Sequence, residues 1–226
     1  MFWRRRNTNG KKIVFFGRGY KDYLIYMAYT LNNMGYSVLI HDRSKEKELA
    51  DIISHHDFST EMRTYRNVDF NFSRDNLTGY QYVFYYYSEY SKELDWEKRQ
   101  FTILNASVFK SDLQVCQNIM NHTDSDVILI IRDRIRNSID KKYIAKYIIK
   151  PSKLLGMHEI RFDEYDKEYQ FRMDYDGVGS FKYLSDNYVN VLVKTICAIT
   201  GKGQGRVRKA LKYAKEGKIF DNRFLE

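Results

Sequence analysis

The sequence predicts an α/β fold, a doubly wound and mostly parallel sheet flanked by helices, with a short basic helix at its C-terminal end. Three observations carry this. Strand-like and helix-like segments alternate along most of the chain. The first strand reaches the second through a glycine turn and a helix, the βαβ unit that places two parallel strands side by side. The strands read as continuous apolar runs, the pattern of strands covered on both faces.

The elements follow in order. Lys11–Phe16 (KKIVFF) is a short buried strand, closed by Gly17, Arg18 and Gly19. From Asp22 to Met34 the residues Leu24, Ile25, Met27, Ala28 and Leu31 recur at helical spacing, and Gly35 stops the helix. Tyr36–His41 is the second buried strand, and residues 45–55 are expected to be helical. Residues 63–78 are polar and read as irregular or edge structure. Tyr80–Tyr87 is strongly β-prone, because aromatic and β-branched side chains pack well on a pleated surface. Phe101–Asn105 is a strand and Lys110–Asn121 a helix, and Asp126–Ile131 (DVILII) has the character of a central strand. Ile139–Ile149 reads as a helix ended by Pro151, the one proline. Glu159–Phe162 is a late strand and Tyr183–Thr200 a long amphipathic helix. Gly201–Gly205 reads as a flexible hinge, and Gln204–Glu216 as a basic helix. No internal repeat or interdomain linker is visible. The expected organisation is a basic arm over residues 1–10, a domain over 11–200, and hinge plus basic helix over 201–226.

Composition bounds the function. The 226 residues are enough for one sizeable domain, and 43% hydrophobic residues are enough for a real core. Two cysteines, Cys116 and Cys197, supply neither a Cys-rich zinc site nor a disulfide framework, which points to a reducing compartment. Val127–Ile131 and the other apolar runs are strand-sized, well short of the roughly 20 residues a spanning helix needs. Met1–Arg6 lacks the apolar stretch of a signal peptide. A cytoplasmic protein is expected, with peripheral contact at the inner face of the membrane as a further option.

The net charge of +9 invites an anionic partner, and it is uneven. Residues 1–21 carry +7 with no acid, residues 201–226 carry +5, and the body between them is −3. Phe2 and Trp3 followed by Arg4, Arg5 and Arg6 pair interfacial aromatics with cations, which suits an anionic membrane surface. In the C-terminal helix Val207, Leu211 and Ala214 share one face, while Arg206, Arg208, Lys209, Lys212 and Lys215 are basic. That pattern fits a membrane, nucleic acid or a protein partner, and equally a solvated surface.

The order of segments resembles the MinD/ParA family of deviant Walker A P-loop ATPases, in particular degenerate TadZ/CpaE-like members found in pilus and secretion machines. The likeness runs from about Lys11 to Gly201. Gly35–Asp42 (GYSVLIHD) is similar to the family's "GY.VLLID" strand, Tyr80–Tyr87 to its "YDYVIIDTPP" strand, and Leu129–Arg136 to its adenine-side "VLNRVR" segment. The resemblance implies a nucleotide site at Gly17, Arg18, Gly19, Tyr20, Lys21 and Asp22, with Asp133 and Arg134 on the base side. The chemistry departs from the pattern. A phosphate loop needs a lysine on the β/γ oxygens and a Ser/Thr hydroxyl on Mg²⁺. Counting back from Gly35, Tyr20 stands at the lysine position and Lys21 at the hydroxyl position. Tyr86 stands where the family has its metal-side aspartate, and a neutral phenol cannot replace that ligand. Asp42, which corresponds to the water-positioning aspartate, remains, and it reads equally well as a turn or cap residue. Asp133 reads either as a base contact or as a partner of Arg132 or Arg136.

Losing the lysine and a metal ligand removes most of the electrostatic stabilisation of phosphoryl transfer. The expectation is therefore a pseudo-ATPase without catalytic residues, metal or cofactor. A divergent active ATPase that uses Lys21 and Asp42, with ATP and Mg²⁺ bound, stands as the disfavoured alternative. The resemblance implies a homodimer and protein partners in a membrane-associated machine for pilus assembly, secretion or polysaccharide export. A nucleic-acid-binding partition or mobile-element accessory protein is the other reading. His55, His56 and Asp57 lack a second ligand cluster, and Gly201–Gly205 follows a helix rather than a strand, so neither reads as a metal site or phosphate cradle.

Overall fold

The computed structural model describes residues 10–53, 61–73, 78–89, 99–135, 141–146, 148, 154–177 and 181–217. Its strands are β1 (Lys11–Phe16), β2 (Val38–Asp42), β3 (Met62–Tyr65), β4 (Val68–Asn71), β5 (Tyr82–Tyr87), β6 (Phe101–Ala106), β7 (Asp126–Arg134) and β8 (Leu154–Arg161). Its helices are α1 (Lys21–Asn33), α2 (Ala50–Ile53), α3 (Lys110–His122), α4 (Lys141–Ala145), α5 (Glu164–Asp176), α6 (Asp186–Thr200) and α7 (Gln204–Lys215). The strands form one sheet in the order β3-β4-β2-β5-β1-β6-β7-β8. Every pairing is parallel except β3 with β4. The doubly wound α/β fold is therefore as the sequence predicts.

Both faces of the sheet are covered, which explains the apolar runs. One core joins Ile13, Phe15, Phe84 and Ile103 to α1, α6 and α7, and a second packs Leu104, Leu129 and Ile131 against Cys116 and Ile119 of α3. Helix α1 is buried nearly all round, because it lies between the sheet and the α6–α7 pair. Its tyrosines serve as core: Tyr26 stacks on Phe181 and Tyr23 packs on Phe15. Gly35 has φ +89°, a left-handed conformation that suits glycine and ends α1.

Several expectations need correction. Strand β7 is second from the edge rather than central, and β8, which begins at Leu154 and not Glu159, covers its outer side. Within residues 45–53 the described helix is Ala50–Ile53, preceded by a turn, and His55, His56 and Asp57 lie outside the described residues. Of the two readings of residues 63–78, edge structure is the one found, as a regular β3–β4 hairpin over residues 62–71. Within 139–149 the described helix is Lys141–Ala145, and Pro151 lies outside the described residues. Helix α5 has no counterpart in the sequence reading. The apolar side of α7 is not free either. Val207, Ala210, Leu211 and Ala214 are buried in the core beside α1, so only its basic side meets solvent.

Candidate functional site

The carboxyl ends of β1, β2, β5 and β7 converge where doubly wound sheets hold their ligands. The β1–α1 turn is tight, with the Tyr20 N–H donating to the Gly17 carbonyl at 3.2 Å and Gly19 at φ +70°. A side chain at Gly17 would come within 2.8 Å of Asn105 Cβ, so the turn lies directly against β6. Tyr20 then precedes α1 without a side-chain cap.

The residues at the remnant loop are engaged within the fold. Asp22 is buried in an ion pair with Arg132, at 2.9 Å, and also accepts from the Tyr188 hydroxyl at 2.7 Å. Burial alone would lower the pKa of Arg132, but Asp22, Tyr188 and Asp133 together outweigh it and hold the guanidinium firmly protonated. Arg132 also lies over the rings of Tyr20 and Tyr188, each 4.8 Å from its centroid. Asp22 thus sits in an internal salt bridge. Arg132 pairs with Asp22 rather than with Asp133.

A bulge makes this possible. Ile131 pairs with Glu159 and Arg134 with Arg161, so β7 carries one residue more than β8 across that stretch. Asp133 takes φ +57° there, and its carboxylate accepts from the Tyr20 hydroxyl at 3.2 Å and pairs with Lys167. Burial, then the Asp133 charge, pushes the Tyr20 phenol well above its ordinary range. Arg134 pairs with Glu159 at 3.4 Å.

Helix α5 straps the loop. Gln170 donates to the Gly19 carbonyl, Asp174 pairs with Lys21 at 3.1 Å, and Lys167 reaches Asp133. The Lys21 ammonium also reaches the Glu48 carbonyl at 3.4 Å. Asp163 caps α5 by accepting from the N–H groups of Tyr165 and Asp166, and Asp166 ties the helix to Ser185, the cap of α6.

The acidic side of the site is equally occupied. The Asp42 carboxylate accepts from the Ser44 N–H at 2.9 Å, from the Ser44 hydroxyl, and from the Leu49 N–H at 2.8 Å. Burial raises its pKa against the opposing effect of these bonds. Of its two sequence readings, the turn residue is the one this geometry matches. Tyr86 is fully buried and donates to the Glu48 carboxylate at 2.8 Å. Burial, then Glu48, raises its pKa, so the phenol stays neutral.

Sequence reasoning named Gly17, Arg18, Gly19, Tyr20, Lys21, Asp22, Asp42, Asp133 and Arg134, and all lie at this end of the sheet around β1, β2 and β7, with the Arg134 side chain turned to Glu159 of β8. It missed Glu48, Lys167, Gln170, Asp174 and Tyr188. The available signal was Asp163 followed by an acidic first turn, with Gly177 as the stop. Phe2, Trp3, Arg4, Arg5 and Arg6 lie outside the described residues. Arg206, Arg208, Lys209 and Lys212 are exposed on α7, and Lys215 is half-buried. Cys116 is buried with its thiol pushed up to about 12 by desolvation, and Cys197 is partly buried on α6. Among the described residues no group of three His, Cys, Asp or Glu side chains is placed to hold a metal, and no helix is long and apolar enough to cross a membrane.

No protein-family model and no curated protein sequence matches the chain. Among solved structures, a ParA family ATPase from Chlorobium tepidum TLS matches with a TM-score of 0.54 and 11% sequence identity, covering 92% of this chain and 98% of that one. At that identity the likeness is one of fold.

Proposed function

We propose that this chain is a non-catalytic MinD/ParA-like protein that acts as a positioning or assembly factor in a membrane-associated bacterial machine. The reading rests on the resemblance in the order of its segments and on the shared fold. The observation that carries its non-catalytic part is the strapped loop: Lys21 is held by Asp174, Tyr20 by Asp133, and Gln170 sits on the Gly19 carbonyl. Phosphoryl transfer needs a cation and a metal ligand preorganised on the phosphates. Here the cation faces a carboxylate and the metal-side position carries the Tyr86 phenol. The working surfaces in this reading are a homodimer face and the basic ends, in the cytoplasm or at the inner membrane face. Calorimetric titration of the full chain with ATP and Mg²⁺ tests it, and no binding in the micromolar range is expected. A Mg²⁺-dependent micromolar affinity that Lys21→Ala abolishes overturns it, as does measurable turnover lost in the same variant.

A second reading, a nucleic-acid-binding accessory protein, draws on one observation. The apolar side of α7 is buried, so the helix offers Arg206, Arg208, Lys209 and Lys212 to solvent without an inserting face. Such a surface binds a phosphate backbone by counterion release, and its affinity falls steeply with salt. Changing these four residues to alanine then removes binding to duplex DNA, and unchanged binding sinks this reading.

A further inference from the structure

A concave site lies on the far side of the sheet centre from β5, against the edge strand β8. It is a cavity of about 500 Å³ between the carboxyl half of β8, the first half of α6 and the start of α7. We propose that it binds a phosphate ester of a small organic molecule.

Charge is the first argument. Arg161 of β8, Lys194 of α6 and Arg208 of α7 line the cavity, so three separate elements each bring a cation to it. Glu159 is the one carboxylate in its lining, and Arg134 holds it. Hydrogen-bond polarity is the second. The Asn187 side-chain oxygen accepts from the Arg161 backbone N–H at 2.7 Å, and the Asn190 oxygen accepts from the Arg208 guanidinium. Each of these carbonyl oxygens already holds a donor of the protein, which leaves the amide NH2 as the remaining donor of each side chain. A lining of cations and amide donors selects a ligand rich in acceptors and negative charge, as a phosphate is. Size and floor are the third. The volume falls within the roughly 300–1,000 Å³ of small-molecule sites. Met157 and Val191, buried and apolar, supply a floor for the organic part. This site does not depend on how the β1–α1 loop is read.

Calorimetry on the full chain at low ionic strength tests the proposal, with AMP, fructose 1,6-bisphosphate and soluble inositol 1,4-bisphosphate as probes and adenosine and fructose as controls. At least one ester binds and the unphosphorylated controls do not. Lys194→Glu combined with Arg208→Glu weakens that binding by about tenfold or more. Asn190→Asp, nearly isosteric, weakens it as well, and thermal melts verify that both variants fold. Absence of binding by every ester, equal binding of esters and controls, or affinity unchanged in both variants overturns it. Binding only to vesicles carrying phosphatidylinositol 4-phosphate, or only to duplex DNA, overturns it too. An ATP signal lost in Lys21→Ala but kept in the groove variants belongs to the β1–α1 loop and counts against the pseudo-ATPase reading instead.

Discussion

Arg132 and Asp22 each expose about 1% of their surface, and their pairing ties β7 to α1. Neither charge reaches water, so removing one strands the other in a low-dielectric interior. Arg132→Ala should therefore cost about 3–5 kcal/mol in urea unfolding, whereas Arg132→Met with Asp22→Leu should recover most of it. A single-variant cost below about 1 kcal/mol would mean that water reaches Asp22. His41 gives a second test. It is buried on β2, stacked on Tyr85, and accepts from the Asn71 amide. Burial, then the charges of Arg43, Arg99 and Lys47, lowers its pKa to about 4 from an ordinary 6.5. Between those two values the unfolded chain binds more protons than the folded one, so stability falls as pH drops from about 6.5 to about 4. Melting temperatures of wild type and His41→Gln should converge as pH falls through that window, and parallel curves would contradict it. At this scale the sequence was informative about identity and silent about partners. Tyr20 and Tyr86 were readable as misfits in a phosphate-loop pattern, but Gln170 meets Gly19 across 151 positions of chain, a distance no local pattern encodes.

Elements were legible where apolar side chains set the period. Strands β1, β2, β5, β6 and β7 and helices α1, α3 and α6 show continuous runs or helical spacing because they are buried. Helix α5 buries only Asp166, Gln170 and Met173, while Phe171 and Tyr175 are exposed, so its hydrophobic pattern points the wrong way. Polar contacts position it instead, and these leave no period to read. Strand β7 looked central because helical layers bury both of its faces while β8 pairs its outer edge, so its apolar run does not tell it from a central strand. The basic pattern of α7 was legible, but its apolar side was read as available to an outside partner. Since Leu211 lies in the core, Leu211→Ala should destabilise the protein by about 2–5 kcal/mol without altering DNA binding at a temperature where it stays folded. A Leu211→Ala protein of normal stability would mean that α7 is not held there.

For the whole molecule, the sheet joins strands distant in sequence, and the last described helix completes the core begun by the first. Val207 and Leu211 belong to the same cluster as Leu24 and Ile25 of α1. A chain stopped at residue 203 should therefore lose its cooperative melt and bind a hydrophobic dye, and a melt within a few degrees of the full chain would refute that dependence. The same packing has a consequence for biosynthesis. About 170 residues separate the end of α1 from the start of α7. At translation rates of roughly 5–20 residues per second, that interval lasts on the order of 10 s or more. Throughout it, the side of α1 that α7 will cover has no partner on the nascent chain, which makes this first helix the segment most in need of a chaperone while the ribosome finishes.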